Sequence, residues 1–491
     1  MKNVCLLIIY SFLILKGNAE TNSYDYTSYS AQSTNSNLSS QIITSTTSGE
    51  SAVYITSSGI TISDSTIEKS GDITSNIEST EFYGINAAVL VQGGALTIND
   101  GTITTSAKGG NAVCATNNGE VTISGTKITS TGSASARGLH ATYGGKITAS
   151  GVTISSTGGS CATLATDRGE GTVSCTGCEL NTEGAGSPLI YSTGDITVNG
   201  SSGTASGAQM VVVEGKNTAT VQNSSSLKGT GIGNKEESGA KIDSCGIFLY
   251  QSMSGDSDIG TSTFNCKDST LEILSSSSVY SSAPMFFVTN TDSSVNLENC
   301  NFNYGSGTFL KASGTSSWGT SGSNGGTVTL TLTNQNIEGD FVVDEISSLT
   351  INMVNSSLKG KINTDNLSSN VAVTLDSASA ITLTGNSYIS SLTNSDTTGS
   401  NINKGTYYLG DNNGNEWTAT GNSTTVKSSD STETSSETSS NATETILNSA
   451  TIDSTSDNTT DNETFIRVDS ARNNLSKSSF IYPLFMLILF F

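Results

Sequence analysis

The segments EVTISGTKITS, residues 120–130, and KITASGVTISS, residues 146–156, carry the pattern that decides the fold. Apolar and polar residues alternate in both, and related segments recur every 23 to 26 residues between Gly94 and Gly231. Alternation with a period of two, over a few residues rich in Ile, Val and Thr, is typical of short β-strands. A repeat of this length with several strands in each copy is typical of a solenoid. We therefore predict an all-β fold in which successive coils stack as a parallel β-helix.

The aligned positions predict which side chains lie over one another, because stacked strands about 4.8 Å apart turn equivalent inward positions into apolar columns. One predicted inward column comprises Ile98, Ile123, Ala149, Cys175, Val198 and Val221. A second predicted column comprises Leu90, Cys114, His140, Leu164, Ile190 and Val212. Beside the first column we predict an outward polar array of Thr97/Asn99, Thr122/Ser124, Thr148/Ser150, Ser174/Thr176, Thr197/Asn199 and Thr220/Gln222.

Composition shifts divide the chain into five predicted regions. They are a secretory signal peptide (1–19), a flexible and disordered lead-in (20–50), the β-helix (51–415), a Ser/Thr-rich stalk (416–470) and an attachment signal for a glycosylphosphatidylinositol (GPI) anchor (471–491). Three stretches without the apolar period are predicted to protrude from the coils as loops. These are residues 72–84, 234–244 and 312–326.

The two ends of the sequence predict secretion and display on a cell surface or wall. Phe480–Phe491 is almost wholly apolar, but it is shorter than the roughly 20 residues of a membrane-spanning helix. It fits a GPI signal instead, for which Asp469 and Ser470 are the candidate attachment residues and Asn473 and Asn474 are alternatives. Sequons agree with secretion, although many arise by chance in a chain rich in Ser, Thr and Asn. The candidate glycosylation sites are Asn37, Asn199, Asn223, Asn355, Asn366, Asn422, Asn441, Asn458, Asn462 and Asn474.

Charge and cysteine content restrict the chemistry. The chain of 491 residues has a formal net charge of −22, which argues against nucleic acid as a partner because neutralising phosphates needs Lys and Arg. Seven of the eight cysteines follow the predicted signal peptide, and a secreted chain is expected to form disulfides. Cys175 and Cys178 are close enough to pair locally. A zinc site there would need a second Cys-x-x-Cys pair, so we predict neither a metal nor a cofactor.

The stretches Arg137–Gly145, Ala165–Gly169 and Tyr191–Val198 resemble right-handed β-helix surface proteins, the adhesin-like members of the pectate-lyase-like fold group. The resemblance covers roughly residues 51–414 and implies a right-handed coil. It specifies the fold better than the function, because this fold hosts lyases, hydrolases and adhesins. The lyases of the group, as the resemblance implies, use calcium-binding aspartates and a basic residue on one face.

Few residues are candidates for such chemistry. His140, the one histidine, is predicted to fill a column position, although the sequence leaves open which way its strand points it. Arg137, Asp167 and Arg168 would suit a lyase or hydrolase, but Arg137 and Arg168 fall at different points of their coils. Neither Asp195 nor Glu214 is predicted to stack beside them. Oxygen-rich runs at 256–258 and 411–416 suit either calcium or ordinary turns.

We therefore predict no catalytic residues and a non-enzymatic, surface-anchored protein. Its expected role is that of an adhesin or wall component which binds glycans or other cell-surface components. The alternative is a polysaccharide lyase or hydrolase of the β-helix type. A third hypothesis, based on the regular outward array of Thr and Ser residues, is binding of ice or of a mineral surface.

Overall fold

Three long parallel sheets wind around one apolar core, as the sequence predicts for a parallel β-helix. The computed structural model describes residues 36–74, 76–235, 240–421 and 423–425. Sheet I has 14 strands. They are Leu38–Ser39, Ile60–Ser63, Ala95–Asn99, Glu120–Ser124, Lys146–Ser150, Thr172–Thr176, Asp195–Asn199, Thr218–Gln222, Thr261–Lys267, Thr291–Glu298, Gly326–Thr333, Ser348–Val354, Val371–Leu375 and Ser391–Asn394.

Sheet II has 10 strands, and a four-stranded parallel sheet lies in the later coils. The strands of sheet II are Ile42–Ser45, Thr66–Lys69, Thr102–Thr105, Lys127–Ser130, Thr153–Ser156, Glu179–Thr182, Ser202–Ala205, Ser226–Gly229, Thr270–Ile273 and Asn301–Asn303. The four later strands are Asn336–Glu338, Ser357–Gly360, Ala380–Leu383 and Ile402–Asn403.

Sheet III has 11 strands and carries the site described below. Its strands are Val53–Ile55, Val89–Gln92, Val113–Thr116, Leu139–Ala141, Leu164–Thr166, Ile190–Ser192, Val211–Glu214, Ile247–Tyr250, Phe286–Thr289, Thr308–Ala312 and Asp340–Val343. The remaining elements are the helix Glu78–Tyr83, the antiparallel pair Asn234–Lys235 and Lys241–Ile242, and a small sheet of Ser387–Tyr388, Leu409–Gly410, Asn415–Trp417 and Ser423–Thr425. In the described ranges, no helix has the length and apolar character needed to cross a membrane.

The register of sheet I confirms the first predicted column. Ile98, Ile123 and Ala149 are successive partners, and Cys175, Val198 and Val221 continue the series. All six side chains are at most 2% exposed. Burying an Ile or Val side chain contributes about 1.5–3 kcal/mol, so the free energy of folding accumulates coil by coil. The same register aligns the predicted polar array on the outer face.

The corner after most strands of sheet I is a left-handed backbone position, which explains the recurring residue type there. Gly125 and Gly151 have φ of 60° and 58°, and Asn or Asp takes the same place in other coils. Glycine adopts positive φ freely, and Asn and Asp tolerate it better than most residues. The corner residues with positive φ are Ser40, Asp64, Asp100, Gly125, Gly151, Gly177, Gly200, Asn223, Asp268, Asn299, Asn334 and Asn355.

The first coil begins earlier than predicted. Strands at Leu38–Ser39 and Ile42–Ser45 pair in parallel with Ile60–Ser63 and Thr66–Lys69. Residues 38–50 therefore belong to the β-helix, whereas the sequence placed them in the lead-in. Leu38 and the short alternation in Ile42–Ser45 are the apolar signals in that stretch, and among the described residues both first-coil strands lie at the edges of their sheets.

Two disulfides lie on or beside the strands of sheet I. Cys175 bonds Cys178 around the corner of one coil. Cys266 bonds Cys300 in the next coil, a pairing that the sequence left open. The thiols of Cys114, Cys161 and Cys245 are free and buried.

Candidate functional site: a cavity on the outer face of sheet III

The outer face of sheet III is covered along much of its length, unlike the exposed outer face of sheet I. Its central outward residues are Tyr54, Leu90, Cys114, His140, Ala165, Tyr191, Val212, Phe248, Phe287 and Lys311. The second predicted column is therefore wrong at two places, because His140 pairs with Ala165 rather than Leu164, and Tyr191 rather than Ile190 follows. A one-residue shift would turn Leu164 and Ile190 outward, whereas the observed register buries both in the core.

Helix Glu78–Tyr83 covers the early part of this face. Phe82 and Thr80 are buried, and Leu90 and Cys114 pack with Ile73 beneath the helix region. Residues 72–84 were predicted to protrude, and that prediction is wrong. Their apolar side chains are too widely spaced to show a strand or a long helix, yet they cover the apolar outward residues of sheet III.

Two further segments cover the later part. Trp318, from the stretch predicted to be an exposed loop at 312–326, packs with Val212, Phe248 and Phe287. Ile242, from the other predicted loop at 234–244, joins the same cluster. Both predictions of exposed loops are therefore wrong for these residues, since they lie against sheet III.

Between the covering segments lies a cavity of about 1200 Å³. Its charged and aromatic lining includes Glu81, Arg137, Asp167, Tyr191, Glu214, Tyr250, Asp256 and Trp318. These residues come from the helix, five coils, the covering segment that contains Trp318 and a further covering segment that follows Tyr250. We refer to this space as the cavity throughout.

Arg137 is the centre of a buried charge cluster in the cavity wall. Its Nη1 lies 2.6 Å from Asp167 Oδ2 and 2.8 Å from His140 Nε2, and its Nη2 lies 3.9 Å from Glu81 Oε1. The Arg137 and Asp167 side chains are only 8% and 5% exposed. Burial and the nearby Arg137 charge hold the pKa of His140 well below its ordinary value. His140 is therefore neutral, and its Nε2 accepts the hydrogen bond from Arg137.

Glu214 forms a second cluster, in which three hydroxyls converge on one carboxylate. Tyr191 and Tyr250 donate to Glu214 Oε2 over 2.7 and 2.8 Å, and Ser252 donates to Oε1. Burial raises the pKa of Glu214 although the three hydroxyls lower it. The carboxylate ties two coils of sheet III to the covering segment that contains Ser252.

Arg168 links two covering segments rather than lining the cavity. Its Nη2 lies 2.8 Å from Asp256 Oδ1, and its guanidinium carbon lies 3.9 Å from the centre of the Phe82 ring. Phe82 belongs to the helix and Asp256 to the segment after Tyr250. A cation over an aromatic ring contributes about 0.5–2 kcal/mol, so Arg168 helps to hold both segments over sheet III.

The prediction that the charged candidates do not converge is wrong for three of them. Arg137, Asp167 and Glu214 line the same cavity, although they are spread over four coils. Asp195 does not join them, because it begins a strand of sheet I and is exposed. Sequence reasoning also missed Tyr191, Tyr250 and Trp318. The first two follow the strand register, but Trp318 had no periodic signal because it lies in a covering segment.

The two runs suggested for calcium are occupied by other contacts. Asp256 pairs with Arg168, and Asp258 lies 2.9 Å from Lys216 Nζ. Asp411 accepts backbone hydrogen bonds from Asn413 and Asn415, as in a tight turn. Within the residues that the structure describes, no group of three or more His, Cys, Asp or Glu side chains is placed to hold a metal ion.

Five of the ten candidate glycosylation sites lie within the described residues, and five lie outside them. Asn37, Asn223 and Asn355 are exposed, and Asn199 and Asn366 are half-buried. The sequons Asn422, Asn441, Asn458, Asn462 and Asn474 lie outside the described residues, as do the predicted signal peptide and the candidate attachment residues Asp469 and Ser470.

Asp167 should make the stability of the chain depend on pH. Burial raises its pKa to about 7, against the attraction of Arg137, while Glu81 and Asp256 raise it further. Between about pH 4 and pH 7 the unfolded chain has released this proton and the folded chain has kept it, so stability should fall as the pH rises. Asp167→Asn should flatten this part of the profile, as measured by urea unfolding at each pH.

Asp396→Asn provides the matched control, because the Thr398 hydroxyl and other donors lower the pKa of this carboxylate to about 2. Its contribution is lost only as the pH falls from about 4 towards 2, outside the window of Asp167. An unchanged slope between pH 4 and 7 in Asp167→Asn would contradict the assignment.

No family model, no curated protein and no solved structure matches this chain.

Proposed function

We propose that this chain is a secreted, surface-anchored β-helix protein that binds glycans in the cavity and acts as an adhesin or cell-wall component. The observation that carries the proposal is the lining of the cavity. Aromatic rings of Tyr191, Tyr250 and Trp318 lie beside the hydrogen-bonding groups of Arg137 and Glu214. Ligand sites in proteins combine apolar walls with a few fixed polar groups in this way.

The chemistry of the lining suits a sugar. A pyranose ring has apolar C–H faces and a rim of hydroxyls, so it can pack on an aromatic ring while its edge forms hydrogen bonds. Tyr and Trp combine an apolar ring with a polar atom. The volume of about 1200 Å³ exceeds the roughly 300–1,000 Å³ of most small-ligand sites. An oligosaccharide of several units therefore suits it better than a single sugar.

The pairing of the buried charges favours binding over catalysis. Arg137 and Asp167 form an ion pair, and Glu214 accepts three hydroxyl hydrogen bonds. A general acid or base needs to reach the proton it transfers. Carboxylates that are nearly buried and already partnered serve better to fix the cavity wall.

Display at a surface forms the second half of the proposal and rests on the sequence. It draws on the signal peptide at 1–19, the stalk at 416–470 and the GPI signal at 471–491, with attachment at Asp469 or Ser470. The net charge of −22 disfavours nucleic acid as a partner. A glycan site carried on such a chain would meet ligands outside the cell.

The two tryptophans of the chain allow a direct binding test. Trp318 lines the cavity, and Trp417 lies in the small sheet near the end of the coils. In full-length Trp417→Phe, the tryptophan fluorescence, excited selectively over that of tyrosine, therefore comes from Trp318 alone. Glycans that score on an array should shift this emission in a saturable titration, because they alter the surroundings of the indole.

Tyr191→Ala should weaken this binding at least about tenfold, because tyrosines in the centre of an interface often contribute most of its energy. Tyr407→Ala removes an exposed tyrosine that does not line the cavity and should leave affinity unchanged. Circular dichroism should verify that both variants fold. Absence of binding across the array, or equal affinity in the two variants, would contradict the proposal.

Polysaccharide cleavage is the second candidate, and the raised pKa values of Asp167 and Glu214 in one cavity favour it. A carboxylic acid whose pKa is raised towards neutral pH, as that of Asp167 is to about 7, is suited to general acid catalysis. Incubation of the purified protein with bound glycans would distinguish the two functions. New reducing ends or unsaturated ends, lost in Glu214→Gln, would favour the enzyme.

A further inference from the structure

Lys69 is a buried lysine at a position where the neighbouring coils have small residues. It ends the strand Thr66–Lys69 of sheet II, and it is only 1% exposed. The register of sheet II places it in one inward column with Ser45, Thr105, Ser130, Ser156, Thr182, Ala205 and Gly229. Burying an amine costs free energy unless it is hydrogen-bonded, so a lysine in this column requires specific partners.

The amine of Lys69 lies beside the carboxamide of Asn86. Lys69 Nζ donates to the carbonyl oxygens of Gly71 and Thr47 over 2.6 and 2.9 Å. Asn86 is fully buried, and its Nδ2 donates to the same Gly71 oxygen over 2.9 Å. Because both nitrogens lie within hydrogen-bond distance of one oxygen, the amine and the carboxamide are direct neighbours in the protein interior.

Two features of the surroundings favour a reaction between these groups. Burial lowers the pKa of Lys69 to about 8, although the charges of Glu50 and Asp72 raise it. The neutral amine, which is the nucleophilic form, is therefore more readily reached than in an exposed lysine. The backbone N–H of Gly49 donates to Asn86 Oδ1 over 2.9 Å. A backbone donor at this oxygen stabilises the negative charge that develops on it during nucleophilic attack.

We propose that Lys69 and Asn86 form an intramolecular amide cross-link, an isopeptide bond. The lone pair of Lys69 Nζ attacks Asn86 Cγ, and the new Nζ–Cγ bond forms as the Cγ–Nδ2 bond breaks. One proton passes from Nζ to Nδ2, which leaves as ammonia. The step consumes no oxidant, reductant or co-reactant. The fold supplies the proximity, because it holds the two groups together before they react.

The cross-link closes the base of the segment that covers the early part of sheet III. Lys69 ends a strand of sheet II, and Asn86 precedes the sheet III strand Val89–Gln92. Between them lies the helix Glu78–Tyr83, whose Glu81 lines the cavity. A covalent bond at the base keeps this helix close to sheet III when its noncovalent contacts open. The cross-link is a property of the chain itself and does not depend on glycan binding.

Cleavage after glutamates tests for the bond, because it separates residues 69–78 from residues 82–120 unless Lys69 and Asn86 join them. The purified full-length protein is unfolded in guanidinium chloride, its amines are acetylated with excess reagent, and the digest is analysed by mass spectrometry. The two peptides should appear joined, with a mass lower than their sum by one ammonia. Lys69 should carry no acetyl group, because an amide nitrogen does not react.

The peptide of residues 82–120 contains two internal controls. Lys108 is exposed, so its complete acetylation shows that labelling went to completion. Asn111 is also fully buried, and its Oδ1 accepts the backbone N–H of Arg137 over 3.0 Å, but fragmentation should place the bond at Asn86. In Lys69→Arg, which lacks the amine, the two peptides should separate. Acetylation of Lys69 to the same extent as Lys108, with the two peptides recovered separately from the unsubstituted protein, would overturn the proposal.

Discussion

Arg137→Ala is expected to destabilise the folded chain by about 3–5 kcal/mol above about pH 7, where Asp167 is ionised, because it removes one partner from a buried ion pair. The guanidinium contacts Asp167, His140 and Glu81, and it lies 5.6 Å from the centre of the Tyr191 ring. Its removal leaves Asp167 buried, with its remaining hydrogen bond from the Arg168 backbone N–H. Urea unfolding followed by far-ultraviolet circular dichroism would measure the loss.

Two further variants test whether the loss of stability in Arg137→Ala comes from burial of the charge rather than from loss of an ion pair as such. Lys359→Ala removes an ion pair with Glu338 whose side chains are 55% and 76% exposed, and it should change stability by less than about 1 kcal/mol. Arg137→Met combined with Asp167→Leu removes both buried charges and should recover most of the loss. If Arg137→Ala were as mild as Lys359→Ala, the pair would be more hydrated than the structure indicates.

Ile123→Ala should cost about 2–5 kcal/mol, because it opens a cavity in the inward column of sheet I. Ile123 is fully buried between its partners Ile98 and Ala149. Thr122, its immediate neighbour, is exposed on the outer face. Thr122→Ala should therefore change stability by no more than about 0.5 kcal/mol.

The contrast between these neighbours tests the direction of every side chain in the strand. Strand residues alternate faces, so a register shifted by one residue would exchange the two results. Comparable losses in both variants would mean that the outer face of sheet I is also covered. The unfolding midpoints of Ile123→Ala and Thr122→Ala, measured under the same conditions, distinguish these outcomes.

The coils could be predicted from the sequence because the same short alternation of apolar and polar residues recurs in each of them. Ile123 and Thr122 recur in type at equivalent places of neighbouring coils, and Gly125 marks a left-handed corner. The register of sheet III was less well defined. Leu164 and its neighbours offered two alignments one residue apart, and only packing of the whole column distinguishes them.

The cavity could not be predicted in the same way. Glu81 and Trp318 lie more than two hundred residues apart, and each belongs to a segment that occurs once rather than in every coil. Such segments have no period from which to infer their position. Their attachment depends on single contacts, such as Arg168 between Phe82 and Asp256, and no pattern in one sequence predicts those.

The cavity and the length of the solenoid are structurally separable. Its lining ends at Trp318, and the described strands from Gly326–Thr333 onwards contribute none of it. Each coil contacts chiefly its neighbours, as in other repeat architectures. Duplication or loss of a coil in that later part would change the length of the solenoid without rebuilding the cavity. Evolution can therefore adjust the number of coils and the lining of the cavity independently in this chain.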